Sequence, residues 1–137
     1  MVEDLAHVES SAFKLTVMAP ARRWGELGSF ADALPGSVRG SISRPDYLEI
    51  VDAGTSKASA LASVLRLLGL TAQHLATVGD GANDVEMLEF AALGIAMGHA
   101  PDALKNVATW IAPSNDDDGL AAAVDRLVAE GQIGRRP

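Results

Sequence analysis

The feature that most constrains the fold of this chain is an apolar run at residues 75–78 that ends in the sequence Gly-Asp-Gly-Ala-Asn-Asp, positions 79–84. Apolar residues at helical spacing begin at Val85, directly after it. The pattern predicts a buried strand, a tight turn and a helix. In open α/β sheets, ligands bind at the carboxyl ends of the strands. We therefore expect this turn to be a binding site.

Three polar side chains of the turn are candidate site residues. Asp80 and Asp84 place two hard oxygen donors near one point, an arrangement that suits Mg²⁺ better than a soft metal. Asn83 offers an amide for a hydrogen bond to a phosphate oxygen. A structural interpretation is also open, because Asp80 could be a turn former and Asn83 or Asp84 could cap the next helix.

Composition excludes several classes of function. The 137 residues carry a net charge of −7 and contain no Lys/Arg-rich block, which argues against a nucleic-acid partner. The absence of cysteine excludes disulfides, thiolate metal sites and thiol nucleophiles. No apolar run approaches the roughly 18 residues that would cross a bilayer, and the acidic residues 1–4 are unlike a secretory signal. We expect a cytoplasmic protein with no membrane partner.

The chain changes in character after Asp52. Before it, the apolar patterns predict a strand ending at Met18, a helix over 21–34, and strands over 37–43 and 47–52. From residue 57 onward, helices and strands alternate, which predicts a parallel sheet with helices on its faces. We therefore predict an α/β chain with domains over 1–52 and 53–137.

The second part is predicted to begin with a helix at Lys57 that is capped by Thr55 or Ser56 and closed by Gly69. After the strand over 75–78 and its turn come a strand over 93–97, a helix over 103–107 and a short strand at 110–111. The final helix is predicted to bury an apolar face made of Leu120, Val124, Leu127 and Val128.

Several motifs give the chain a family resemblance. The turn at 79–84, followed by Met87-Leu88 and by Gly-Ile-Ala-Met-Gly at 94–98, resembles the haloacid dehalogenase superfamily. More narrowly, it resembles the Cof-type (subclass IIB) phosphatases, which act on sugar phosphates and other small phosphoesters. The run ending in Thr55-Ser56-Lys57 and the stretch 106–119 also fit. The resemblance implies that 53–137 is the C-terminal part of a Rossmann-like core, and that 1–52 is the end of an α+β cap.

The resemblance also implies roles for individual residues. Asp80 would coordinate Mg²⁺, and Asp84 would support the metal through water or through bonds to its ligands. Lys57 and Asn83 would hold the phosphate of a small phosphorylated metabolite. The implied reaction is Mg²⁺-dependent hydrolysis of phosphomonoesters through an aspartyl-phosphate, with Lys57 and Asp80 as catalytic residues.

Two motifs of that family do not occur in this sequence. There is no Asp-x-Asp-Gly-Thr, whose first aspartate is the family's nucleophile, and no Ser or Thr motif after a second strand. We therefore expect the isolated chain to have no phosphatase turnover. In the family, the nucleophile strand lies beside the strand that here ends at Val78, so that strand would expose an apolar edge. We expect a homo-oligomer, or a partner chain that supplies the missing N-terminal half.

Two alternative functions stay open. The turn and the run 94–98 also resemble the phosphorylation domain of P-type ATPases, although no membrane segment follows and the tail from residue 101 fits the Cof-type enzymes better. Alternatively, a non-catalytic regulatory module could use Lys57, Asn83 and Asp80 to hold a phosphorylated ligand.

The remaining polar residues are given structural interpretations. His99 follows Gly98 near the same sheet edge and could line the site, but we interpret it as loop polarity. The acidic run 116–118 lacks the alternating ligands of an EF-hand calcium loop. We interpret it as helix N-terminal acids that the helix dipole favours.

Overall fold

The computed structural model describes residues 12–133, so predictions for residues 1–11 and 134–137 lie outside the described residues. The chain divides into two compact units, Met1–Thr55 and Ser56–Pro137, close to the boundary predicted after Asp52. The assignment of these units to a cap and a core stays a prediction.

The first unit is a small antiparallel sheet with one helix against it. It contains β1 (Leu15–Met18), a 3-10 turn (Ala21–Arg23), α1 (Glu26–Asp32), β2 (Val38–Arg44) and β3 (Tyr47–Asp52), and the strand order is β1-β3-β2. The predicted order of strand, helix, strand and strand is confirmed. The helix predicted over 21–34 is instead a 3-10 turn followed by a shorter α-helix. Its buried Leu27 packs with Leu48 and Ile50 of β3.

The second unit is a parallel sheet with intervening helices. Its elements are α2 (Lys57–Leu67), β4 (Ala76–Gly79), α3 (Val85–Phe90), β5 (Leu93–Ala96), α4 (Asp102–Val107), β6 (Trp110–Ile111) and α5 (Gly119–Ala129). The strand order is β4-β5-β6, and both strand pairs are parallel. The predicted alternation of helices and strands is therefore confirmed.

Helices cover both faces of this parallel sheet. Neighbouring residues of a strand point to opposite faces, and Ile95 and Ala96 of β5 accordingly belong to two different core clusters. The Ile95 cluster includes Ala123 and Leu127 of α5. The Ala96 cluster instead includes Leu88 of α3 and a leucine of α4. The sheet therefore has a hydrophobic core on each face. The carboxyl ends of its strands are the remaining place where a ligand could bind.

The predicted apolar face of α5 is wrong for three of its four residues. Leu127 is buried, but Leu120, Val124 and Val128 are 56%, 42% and 54% exposed. The face that meets the sheet consists of Gly119, Ala123 and Leu127. The reason lies at the start of the helix, where a Cβ atom on residue 119 would lie 2.0 Å from the carbonyl oxygen of Pro113. This close approach is possible only with glycine at position 119, and it turns the side of the helix that carries Gly119, Ala123 and Leu127 inward.

Within residues 12–133, no helix is long and apolar enough to cross a membrane.

Candidate active site

The candidate site lies at the carboxyl end of β4. The strand ends at Gly79, a 3-10 turn covers Ala82–Asp84, and α3 begins at the next residue. Gly79 is needed for close packing, because a Cβ atom on it would lie only 2.7 Å from the Cβ atom of Asp84. The strand, turn and helix predicted from the sequence are confirmed, and every residue discussed below belongs to the second unit.

Asp84 organises the turn through both of its carboxylate oxygens. Its side chain is buried, and Oδ2 accepts hydrogen bonds from the backbone N–H groups of Asp80 and Gly81, each at 3.0 Å. Oδ1 accepts a hydrogen bond from the Lys57 ammonium. Because both oxygens are engaged by the protein, Asp84 fixes the conformation of the loop. Its predicted support of a metal stays a prediction.

The ionisation of Asp84 follows from these partners. Burial alone would raise the pKa of the Asp84 carboxyl, but the hydrogen bonds from Lys57, Gly81 and Asp80, together with the Lys57 charge, lower its pKa below the ordinary value. The carboxylate is therefore charged at neutral pH and forms an ion pair with the lysine.

Lys57 reaches the turn from the first position of α2. Ser56 caps this helix, since its Oγ accepts from the Ser59 N–H at 3.1 Å, while the Ser56 N–H donates to Ser59 Oγ at 2.9 Å. The Lys57 side chain is half exposed. An ammonium group has three donors, and the hydrogen bond to Asp84 uses one of them. Lys57 can therefore offer its remaining donors to a ligand from a fixed position.

Asp80 and Asn83 lie on the exposed side of the turn. The Asp80 side chain is 66% exposed, and its Oδ2 lies 3.5 Å from Nε2 of His99. Asn83 is also exposed, and a Cβ atom on Gly81 would lie 2.7 Å from its Oδ1, which places the amide beside the loop. The structure therefore brings Lys57 together with Asp84, and Asp80 together with His99. The predicted phosphate contact of Asn83 stays a prediction.

His99 is a site residue that the interpretation as loop polarity missed. Its Nδ1 accepts a hydrogen bond from the Asn115 N–H at 3.4 Å. Asp80, His99 and Asn115 line a cavity of about 300 Å³, whose apolar wall is made of Val78, Met97 and Leu120. The sequence did carry a signal for this position. His99 follows β5, the parallel neighbour of β4, and the carboxyl ends of parallel strands meet at one edge.

The candidate site offers one exposed carboxylate to a metal. Across the part of the chain that the structure describes, no group of three or more His, Cys, Asp or Glu side chains is placed to hold an ion. The oxygens of Asp84 are occupied, whereas the Asp80 carboxylate is open to solvent. One carboxylate is compatible with Mg²⁺ at a phosphate site, because this ion keeps several waters and takes further oxygens from the substrate. The metal predicted at Asp80 and Asp84 stays a prediction.

Comparison with known proteins identifies the family. Residues 3–124 match the family model of the haloacid dehalogenase-like hydrolases. The chain belongs to this family. The superfamily predicted from the turn at 79–84 is thereby confirmed.

Curated relatives of this haloacid dehalogenase-like chain match it over limited lengths. It is 44% identical over 81 residues to a protein of Arabidopsis thaliana described as a chloroplastic endoribonuclease, a match that covers 59% of this chain and 14% of that protein. It is 42% identical over 86 residues to a 5-amino-6-(5-phospho-D-ribitylamino)uracil phosphatase of Bacillus subtilis, covering 63% of this chain and 34% of that enzyme. The chain thus spans about a third or less of the length of these relatives.

A solved structure confirms the fold. A haloacid dehalogenase subclass IIB sugar phosphatase superposes with a TM-score of 0.75 at 24% identity, covering 90% of this chain and 45% of that enzyme. At this identity the likeness speaks for the fold alone. It confirms the predicted Rossmann-like α/β architecture, of which this chain contains a part.

Proposed function

We propose that this chain supplies the phosphate- and Mg²⁺-binding part of a cytoplasmic phosphatase that hydrolyses small phosphomonoesters, sugar phosphates among them. The observation that carries the proposal is the Lys57–Asp84 ion pair at the carboxyl end of β4, with the exposed Asp80 carboxylate in the same turn. A phosphatase name among the relatives and a sugar phosphatase among the structural neighbours support the substrate class.

The proposed roles follow from the chemistry of the groups. Lys57 directs its remaining ammonium donors at phosphoryl oxygens, and the exposed Asn83 amide adds a further hydrogen bond. Asp80 would hold Mg²⁺, which when bound supplies positive charge against the negative charge of the phosphoryl group. Asp84 keeps Lys57 and the turn in place. A carboxylate nucleophile from outside these 137 residues would attack phosphorus, and water would then hydrolyse the aspartyl-phosphate.

We further propose that a second polypeptide segment pairs with β4. Within the described residues, β4 is an edge strand whose only strand partner is β5. An open edge offers unpaired backbone groups to another strand. A strand that ended in Asp-x-Asp-Gly-Thr would bring its carboxylates to the same end of the sheet as Asp80.

A binding module is the second candidate function. It is favoured by one observation, namely that Lys57, Asn83 and Asp80 occur in this sequence while the family's nucleophile motif does not. Such a module would take up inorganic phosphate or a sugar phosphate without turning it over.

Reconstitution separates the two candidates. The pure chain with Mg²⁺ and a panel of sugar phosphates is expected to release no phosphate. Mixing it with a separately produced segment of a family member that carries Asp-x-Asp-Gly-Thr is expected to give Mg²⁺-dependent phosphate release. The matched variants are Asp80→Asn, which should abolish release, and Asp125→Asn on the exposed side of α5, which should not.

Two results would contradict this proposal. Phosphate release by the pure chain, in proportion to its concentration, would show that no outside nucleophile is needed. Binding of a sugar phosphate by the mixture, with no turnover although the two segments associate, would favour the binding module.

A further inference from the structure

The imidazole of His99 lies close to the Asp80 carboxylate. The side chain of Asp80 is 66% exposed, and Nε2 of His99 lies 3.5 Å from Oδ2. The two residues follow adjacent parallel strands, since Gly79 pairs with Ala96 and the Met97 N–H donates to the Gly79 carbonyl at 2.9 Å. The backbone of the sheet therefore brings His99 to Asp80.

The hydrogen bond from Asn115 to His99 determines which nitrogen of the His99 ring carries the hydrogen. Nδ1 of His99 accepts from the Asn115 N–H. In a neutral imidazole one nitrogen accepts and the other carries the hydrogen. An acceptor Nδ1 therefore places the hydrogen on Nε2, which is the nitrogen beside the carboxylate. Nδ1 is engaged by the Asn115 N–H, and Nε2 lies 3.5 Å from the carboxylate oxygen, close enough for its hydrogen to be attracted to Asp80.

We propose that His99 is a positioning residue, which holds the Asp80 carboxylate in its place by connecting it to the loop that begins at Ser114 and leads into α5. This inference rests on the proposed function in giving Asp80 a role as a metal-binding carboxylate. In this role His99 acts through Asp80 rather than by binding metal or phosphate itself.

The geometry explains why such a connection is needed. Asp80 is the first residue after β4, and its exposed side chain would otherwise sample several rotamers in water. The loop that supplies the Asn115 N–H is itself fixed, because Ser114 Oγ accepts from the Asp116 N–H and the Gly119 N–H donates to the Ser114 carbonyl at 2.9 Å. A group that orients a metal-binding side chain typically affects metal affinity 10- to 100-fold.

The first test detects the contact between His99 and Asp80 and requires neither bound metal nor enzymatic activity. Long-range ¹H–¹⁵N NMR of the full chain, in metal-free and mildly alkaline buffer, should show His99 with its hydrogen on Nε2. The Asp80→Asn variant should shift the His99 Nε2 signal, and Asp125→Asn should leave it unchanged. A hydrogen on Nδ1, or a His99 signal that Asp80→Asn does not move, would overturn the proposal.

The second test measures Mg²⁺ affinity by calorimetry. His99→Leu, which removes the donor, should weaken Mg²⁺ binding by roughly 10-fold or more. His99→Gln, whose amide can donate from about the same position, should bring it back to within about twofold of the wild-type value. Equal melting temperatures of the two variants would show that folding is not the cause. Equal weakening in both variants would overturn the proposal.

The two tests keep the inference separate from the proposed function. If the wild-type chain shows the NMR contact but binds no Mg²⁺, the metal-binding role of Asp80 fails while the positioning contact stands. If Mg²⁺ binds to wild type and His99→Leu alike, the proposed function stands and the role of His99 fails.

Discussion

We expect substitution of Asp84 to destabilise the chain more than substitution of the other candidate site residues. The buried carboxylate of Asp84 accepts hydrogen bonds from two backbone N–H groups and from the Lys57 ammonium. Asp84→Ala would leave these donors unpaired and should lower the free energy of unfolding by about 2 kcal/mol, less than for a fully buried pair because Lys57 is half exposed. Urea denaturation measures this loss.

A matched control for that ion pair lies at the C-terminal end of α5. Glu130 accepts a hydrogen bond from Arg126, and both side chains are about half exposed. Glu130→Ala should change the free energy of unfolding by no more than about 0.5 kcal/mol. An equal effect of Asp84→Ala and Glu130→Ala would contradict the role given to Asp84.

The lowered pKa of Asp84 also predicts a pH dependence of stability. Because its pKa in the folded chain is below that in the unfolded chain, the carboxylate gives its full stabilisation above the unfolded-state value of about 4. This stabilisation is lost as the pH falls through the lower folded-state pKa. Urea midpoints measured downward from about pH 6 should therefore fall less steeply for Asp84→Asn than for wild type. Parallel curves would exclude this residue as a source of acid sensitivity.

The sequence predicted the strand, turn and helix that position Asp80, Asn83 and Asp84, but not every contact of their side chains. Asp80, Asn83 and Asp84 were found because glycines and carboxylates directly follow an apolar run. The contact of Lys57 with Asp84 agrees with the predicted common site. The contact of His99 with Asp80 was not predicted because it joins residues 19 positions apart, although the position of His99 after the neighbouring strand places it near this sheet edge.

At the scale of the element, the start of α2 is the most specific prediction. Ser56 and Ser59 bond reciprocally at the N-terminus of this helix. Ser56→Ala should destabilise the chain by about 1 kcal/mol, and it should also weaken phosphate binding, because Lys57 is the next residue. Thermal unfolding and calorimetry with inorganic phosphate measure the two effects.

The control for the cap lies two turns into the same helix. Ser63 Oγ donates to the Ser59 carbonyl from an exposed position. Ser63→Ala should be neutral or slightly stabilising, since alanine is the better helix former. A loss of stability in Ser63→Ala as large as that in Ser56→Ala would argue against a specific capping effect.

The order of the elements was predictable, but the orientation of one helix was not. Periodicity identified the strands and helices because period-2 and period-3.6 patterns differ over short windows. For α5 the pattern selected the largest apolar residues as the buried face. The structure instead turns Gly119 toward Pro113, a contact that only the tertiary structure specifies. Likewise, the helix predicted over 21–34 is interrupted before Glu26.

For the whole molecule, the open edge of β4 predicts association. The carbonyl oxygens of Leu75 and Gly79 accept hydrogen bonds from the N–H groups of Leu93 in β5 and of Met97, which follows β5. Successive residues of a strand direct their backbone groups to opposite sides, so the N–H of Ala76 points to the open edge. We expect light scattering to show a molecular mass that increases with concentration. A monomer at all concentrations would contradict this expectation.

A pair of proline variants tests whether β4 is the associating edge. Ala76→Pro removes an outward N–H at the first residue of the strand, where proline is tolerated, and should reduce association without unfolding. Thr77→Pro removes an N–H that faces β5 and should unfold the second unit. Unchanged association of folded Ala76→Pro would place the contact elsewhere.

The inward turn of the small residues of α5 has a practical consequence at the bench. Leu120, Val124 and Val128 remain in water along one side of the folded helix. Such an uncovered aliphatic stripe attracts environment-sensitive fluorophores such as anilinonaphthalene sulfonate. The native protein should therefore fluoresce with these dyes before any heating, and replacing Val124 and Val128 by serine should reduce the signal.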